Sequence, residues 1–440
     1  MQMRRLDQSD EPDAAELVAA RPFLSRHAAD GLVLEDVPLA AIADKFGTPC
    51  WVYGAGEIRA RYRRLAAAMP GVAIHYAVKA NDHPAVIAVL AAEGAGADVV
   101  SIGEFQRATR AGIPADRVLF SGVGKTGAEL EATLLGGVGQ INVESAEELS
   151  ELSALAMRLG RHARVALRVN PDVDAGTHDK ISTGRAGDKF GIPYGAVAEL
   201  YAQDWPGIDL VGLAVHIGSQ VFSAAPFRAA YERLADLVRT LRGQDLRIEM
   251  VDCGGGIGIG YRNEPAALPE AWAGAMQTAL GDLGVRLAIE PGRWLVGPAG
   301  VLLSRTIRTR RMHMPRPLVV LDAAMNDLVR PAMYGAWHGI VPVGAADLAA
   351  PAEPADIAGP VCESSDYFAR DRMIAPLQDG AAVAILDAGA YGAVMSSTYN
   401  ARALAAAVMV DGARMSVIRP RQSLAASWEA DMVPDWLAHD

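Results

Sequence analysis

From Gly54 onward the chain alternates short β-branched runs with longer stretches of helical spacing, and it does so eight times in succession. The strand-like runs are residues 73–78, 97–100, 117–120, 139–143, 164–169, 210–215, 247–251 and 286–289. Helical spacing fills the gaps, for example at 84–92, 146–159, 225–241 and 268–280. Strands that alternate with helices pair in parallel through crossovers. Eight such units in about 240 residues are the size of a (β/α)8 barrel. A doubly wound open sheet fits a run of fewer strands.

After Val301 the rhythm changes. Strand-like segments at 301–309, 318–322, 382–386, 407–410 and 415–418 follow one another with Gly and Pro turns and little helix, which reads as an all-β domain. Residues 32–53 also carry strand-like pieces, expected to pair with that domain. The predicted organisation is therefore an N-terminal arm (1–31, loose or helical), pairing strands (32–53), an α/β barrel (54–300) and a C-terminal β domain (301–440). The Ala/Pro-rich stretch 345–360 reads as a loop.

Composition narrows the function. Acidic side chains outnumber basic ones by 52 to 41, a net charge of −11 that disfavours a nucleic-acid partner. No apolar run is long enough to span a bilayer, and the N-terminus turns acidic without the apolar stretch of a signal peptide. Three scattered cysteines, Cys50, Cys253 and Cys362, form neither a disulfide framework nor a zinc pattern, which fits the cytoplasm. No metal site is expected, because no HExxH or paired-Cys pattern accompanies the nine histidines.

Barrel enzymes carry their chemistry beyond the C-terminal ends of the strands. The first strand ends in Tyr76-Ala77-Val78-Lys79, where a lysine leaving an apolar strand suits imine formation. Taken alone, such a lysine more often snorkels to the rim, and only its context reverses that reading. The sixth strand leads into His216-Ile217-Gly218-Ser219, the seventh into Gly254-Gly255-Gly256, and the eighth into Glu290-Pro291-Gly292-Arg293. A glycine run exposes backbone N–H groups to a phosphate, and Ser219 and Arg293 add donors to the same anion. Neither Gly254 nor Gly256 completes GxGxxG, since Ile259 and Tyr261 occupy the last position. Gly124-Lys125-Thr126 lacks the first P-loop glycine, Leu119 standing there. Pyridoxal 5'-phosphate is the economical ligand for this set. Lys79 would carry it, Glu290 would face the pyridine nitrogen and His216 the ring, although His216 alone reads equally as a core histidine.

Longer motifs agree in order: Arg168-Val169-Asn170-Pro171, Lys180-Ile181-Ser182-Thr183-Gly184, Lys189-Phe190-Gly191, Asp327-Leu328-Val329-Arg330-Pro331, Cys362-Glu363-Ser364-Ser365-Asp366 and Ala390-Tyr391-Gly392. With them the chain resembles, from about Leu32 to Pro420, the fold-type III pyridoxal-phosphate decarboxylases, which join a barrel to a β domain. Within that group the nearest likeness is the diaminopimelate decarboxylase family. The resemblance implies decarboxylation of meso-2,6-diaminopimelate to L-lysine. It further implies that Arg293, Arg330 and Tyr334 bind the distal carboxylate and amine end of this small amino-acid substrate. Glu363 would contact the distal ammonium, Tyr391 the cofactor phosphate and substrate, and Cys362 would protonate the carbanion. It also implies a homodimer with shared active sites, Cys362 and Glu363 reaching the Lys79 site of a second subunit. Ser365 and Ala403 depart from the family's usual glycine and proline. Three other readings remain at this point: a related decarboxylase acting on another amine, an amino-acid racemase, and a non-catalytic cofactor-binding barrel. Glu290 speaks against the second and the motifs beyond the eighth strand against the third.

Overall fold

The computed structural model describes residues 11–176, 183–185, 187–262, 264, 267–311 and 315–437. Their chain divides into two compact units. One takes in the described parts of Ile58–Gly260 and Pro265–Val296, the other those of Met1–Glu57, Tyr261–Glu264 and Gly297–Asp440.

The first unit is a closed barrel of eight parallel strands: β1 (Ala73–Ala77), β2 (Gly96–Val99), β3 (Val118–Phe120), β4 (Gln140–Val143), β5 (Ala163–Asn170), β6 (Ile208–Ala214), β7 (Met250–Asp252) and β8 (Arg286–Ile289). Each pairs with the next, and β8 returns to β1 through Ala288–Ala73 and Ile289–Ile74. The strands β2, β3, β4 and β7 are buried at every residue, as strands covered on both faces must be. Helix starts follow the sequence closely. Ser101, Thr126, Ser145 and Ser223 each cap a helix N-terminus through the side-chain oxygen, Thr126 in a reciprocal box with Glu129. The helices Ala224–Arg242 and Pro269–Leu280 pack through Phe227, Tyr231 and Trp272. There Trp272 Nε1 donates to Tyr231 Oη at 2.6 Å, and Tyr231 Oη donates to the Cys253 carbonyl at 3.0 Å. Burial raises the Tyr231 pKa well above its usual value, so the phenol stays a donor. A helix contact thus pins the end of β7, where the glycine run begins.

In the second unit a mixed sheet runs in the order Tyr367–Ile374, Glu353–Ala358, Leu318–Leu321, Gly300–Arg310, Cys50–Gly54, Ala406–Asp411, Arg414–Arg419. Ala382–Ile385 joins Gly300–Arg310 and carries Ile340–Pro342. Its core gathers Leu32, Leu34, Ile42, Val52, Leu303, Val341, Leu386 and Val408. Two segments differ from the sequence expectation. Residues 345–360 contain a short helix, Ala345–Ala349, and a central strand, Glu353–Ala358; small alanines let the strand pack without a β-branched signature. Tyr367–Ile374 escaped prediction because Arg372 takes an inward position and breaks the apolar alternation. In the described part of the N-terminal arm, Asp13 and Glu16 form a capping box on Ala14–Ala19, and Leu24–His27 pairs with Gly31–Leu34.

Candidate active site

All eight strands point the same way, so the residues at their C-terminal ends meet at one mouth of the barrel. Lys79 lies in the turn Val78–Ala80 after β1. Its ammonium ion-pairs with Asp98 of β2, a fully buried carboxylate, while the lysine side chain keeps 32% of its exposure. Lys79 is therefore not the bare desolvated amine that its apolar strand suggests. A buried counter-charge holds it at the mouth, a geometry that a snorkelling rim lysine lacks.

Glu290, beyond β8, is buried among polar groups from three other strands. Asn142 Nδ2 lies 3.3 Å from both Glu290 Oε1 and Asp252 Oδ2, and Ser121 Oγ lies 3.4 Å from Glu290 Oε1. Gln140 Nε2 orients the Asn142 carbonyl at 2.8 Å. Burial, then Asp252 and Asp98, push the Glu290 carboxyl well above the usual carboxylate range, against the opposing pull of Lys79. Burial raises Asp252 as well. Three carboxylates and one ammonium thus act on one another at the barrel mouth. Repulsion between the Glu290 and Asp252 carboxylates adds to burial in favouring the protonated form.

His216 accepts the Gly255 N–H on Nδ1 at 3.1 Å, which places its own proton on Nε2. Burial, aided by Arg168 and Lys79, drives its pKa well below the usual value, so the ring is neutral. The Gly254 N–H is also committed, to Asp252 Oδ1 at 2.9 Å. Two of the three N–H groups expected to face a phosphate are thus used inside the protein, leaving that of Gly256. The glycines are required by space instead. A Cβ on Gly254 (φ +67°), Gly255 or Gly256 (φ +108°) would stand 2.0–2.2 Å from the carbonyl oxygens of Val215, Glu290 or Gly218. Gly292 is less crowded, with the Ala80 and Ala77 methyls at 3.0 and 3.2 Å from its Cβ position. Arg293 Nη2 donates to Ser219 Oγ at 3.2 Å, which brings those two expected anion ligands together. Lys180, Ile181 and Ser182 lie outside the described residues.

Lys125 is a structural residue. Its ammonium, 1% exposed, donates to the carbonyls of Gly122 and Asn142, each at 2.7 Å, and to Glu148 Oε1 at 2.6 Å.

The remaining expected site residues belong to the other unit. Arg330 opens the helix Arg330–Tyr334, with Tyr334 at its end. His338 Nδ1 lies 2.8 Å from the Leu386 carbonyl and must donate there, so its Nε2 accepts from Arg330 Nη1 at 2.6 Å. The guanidinium also stacks 4.9 Å above the Tyr261 ring. Cys362 and Glu363 are exposed, and Tyr391 holds a left-handed backbone at φ +55°.

Sequence reasoning missed Asp98, Asn142, Asp252 and His338. The available signal was a charged or amide residue inside an otherwise apolar strand, as in Ala97-Asp98-Val99 and Val251-Asp252-Cys253, because such groups are buried only for a purpose.

The residues present fit pyridoxal phosphate. Asp98 Oδ1 is buried with no hydrogen-bond partner, the Asp252–Glu290 pair has room in its charge balance for a cationic N–H, and a neutral imidazole stands beside them. Comparison with known proteins agrees. Residues 55–297 match the family described as pyridoxal-dependent decarboxylase, pyridoxal binding domain. A diaminopimelate decarboxylase of Zymomonas mobilis is 45% identical over 415 residues, 92% of this chain and 98% of the relative. That of Pseudomonas aeruginosa is 44% identical over 89% of this chain and 95% of its own length. The crystal structure of diaminopimelate decarboxylase from Helicobacter pylori complexed with L-lysine superposes with a TM-score of 0.85 at 35% identity, covering 89% of this chain and 98% of that one. The chain belongs to the pyridoxal-dependent decarboxylases, and within them to the diaminopimelate decarboxylase family.

Proposed function

We infer that this chain is a carboxy-lyase that uses pyridoxal 5'-phosphate to decarboxylate meso-2,6-diaminopimelate to L-lysine and carbon dioxide. The observation that carries the reading is the barrel mouth itself, where Lys79 paired with Asp98, Glu290 within reach of Asn142 and Ser121, and His216 accepting the Gly255 N–H stand at the C-terminal ends of the strands. When bound, the cofactor supplies a cationic ring that takes up the electron pair left at Cα.

The chain's own residues do the rest. Lys79 carries the cofactor on its amine, and Asp98 keeps that amine aimed into the mouth. Glu290, steadied by Asn142 and Ser121, faces the ring nitrogen, and burial beside Asp252 favours a proton at that position. His216 lies against the ring and, being neutral, adds no competing charge. Ser219, Gly254, Gly255, Gly256, Gly292, Arg293 and Tyr391 form the phosphate and cofactor contacts. Gly256, Ser219 and Arg293 supply donors among them, and the remaining glycines supply close approach. Arg293, Arg330, Tyr334, Glu363 and Tyr391 bind substrate. Two guanidiniums suit a second carboxylate, which ornithine and lysine lack. Cys362 delivers a proton from Sγ to Cα once carbon dioxide has left.

The assembly is a homodimer in which Cys362 and Glu363 complete the partner's site, and it works in the cytoplasm. Among the described residues no helix is long and apolar enough to cross a membrane.

The deciding assay is carbon dioxide release from meso-diaminopimelate with added cofactor, beside lysine, ornithine and arginine. Activity should be confined to the first, and Lys79→Ala should lose both turnover and the visible absorbance of bound cofactor. Turnover by that variant refutes the assignment. Mixing inactive Lys79→Ala and Cys362→Ala proteins should restore activity through subunit exchange; no recovery refutes shared sites.

A further inference from the structure

Two hydroxyls converge on one exposed carboxylate. Tyr399 Oη donates to Glu363 Oε2 at 3.0 Å, and Ser365 Oγ donates to Glu363 Oε1 at 3.1 Å. The supports of both hydroxyls are fixed. Asp366 accepts the N–H groups of Met325 (2.7 Å) and Val361 (2.8 Å), which anchors the 361–366 loop at its base. The Cys362 N–H donates to Asn400 Oδ1 at 2.9 Å, tying that loop to the turn Tyr399–Ala401. Arg402 Nε donates to Asn326 Oδ1 at 3.0 Å and secures the turn from the other side. The other neighbour of the Ser365 hydroxyl is Met325 Sδ at 3.7 Å, a thioether that competes poorly with an ionised oxygen for one proton.

The chemistry of these donors matters. An exposed glutamate normally spreads over several rotamers, and fixing one costs entropy when a ligand demands it. A lysine or arginine partner would fix Glu363 but cancel its charge. Neutral hydroxyls fix it and leave the charge in place. The Tyr399 phenol is raised above its usual pKa by Glu363 itself, so it remains a donor. Each Glu363 oxygen accepts one hydroxyl and retains lone pairs for an incoming cation, and an ammonium, all donor, is the matching group.

We propose that Ser365, with Tyr399, is a positioning and specificity-determining residue that pre-orients the Glu363 carboxylate for the primary ammonium at the distal end of the substrate. This rests on the reading of Glu363 given above.

The test is steady-state kinetics of the cofactor-loaded enzyme on meso-diaminopimelate for Ser365→Gly, Ser365→Thr, Tyr399→Phe and Glu363→Gln. Ser365→Gly should raise KM about three- to ten-fold with a much smaller change in kcat and an unaltered cofactor absorbance. Ser365→Thr, which keeps the hydroxyl, should restore KM, and combining Ser365→Gly with Tyr399→Phe should raise it further. If Glu363→Gln raises KM but Ser365→Gly does not, or Thr fails to rescue, the inference is wrong while the role of Glu363 stands. An unchanged KM in Glu363→Gln removes both.

Discussion

Replacing Lys125 with methionine asks whether the Gly124-Lys125-Thr126 segment holds a ligand or holds the barrel. The methionine fills most of the same volume but removes three donor contacts, to the Gly122 and Asn142 carbonyls and to Glu148. Breaking a buried pair by removing one partner costs about 3–5 kcal/mol, because the other charge stays behind. Here the charge left behind can escape by taking up a proton. Burial already raises the Glu148 pKa, and Lys125 is the largest influence lowering it, so the variant's Glu148 rises further. A carboxyl whose folded pKa exceeds its unfolded one costs nothing below the unfolded value and costs progressively more as pH climbs toward the folded one. The destabilisation should therefore be largest near pH 8 and shrink toward pH 5, where only the two carbonyl bonds are missing. Urea unfolding at several pH values, with the m-value checked for constancy, measures it. The double variant Lys125→Met/Glu148→Leu should lie closer to wild type than Lys125→Met at pH 8. A loss under about 1 kcal/mol at pH 8, or one independent of pH, would refute the reasoning.

Two further outcomes follow from the barrel. Burial pushes Glu104 from its usual 4.5 up to about 7, so it opposes folding increasingly as pH rises through that window. Glu104→Gln, which can still accept the Val100 N–H, should stabilise the protein by about 3 kcal/mol at pH 8 and by less than about 1 kcal/mol at pH 5 in denaturant titrations; an equal gain at both would contradict the shift. Gly254→Ala forces a methyl onto the Val215 carbonyl at a left-handed backbone position and should cost more than about 3 kcal/mol, whereas Gly124→Ala, with nothing within 4 Å, should stay within about 0.5 kcal/mol in thermal unfolding.

How much of this was legible in the sequence depends on which physical signal each part leaves behind. The barrel strands announced themselves because a strand covered on both faces is a short, mainly apolar run, and all eight expected runs coincide with observed strands to within a few residues. Glu353–Ala358 left no such trace, since alanine and proline dominate a segment whose place in the sheet comes from tertiary pairing with Leu318–Leu321 and Tyr367–Ile374. Lys79, Glu290 and the glycine run were visible as residue types at strand ends. What remained hidden is the way they constrain one another. The sequence cannot say that Asp98 pairs with Lys79, that the Gly255 N–H sets the His216 tautomer, or that burial and Asp252 raise the Glu290 carboxyl. Those relations arise only when strands far apart in the chain close into a ring and bring several ionisable groups to one mouth, where each protonation state depends on the others. Chemistry of this kind is collective. The residues that sequence reading overlooked, Asp98, Asn142, Asp252 and His338, each contact a side chain that it had picked out or a neighbour of one.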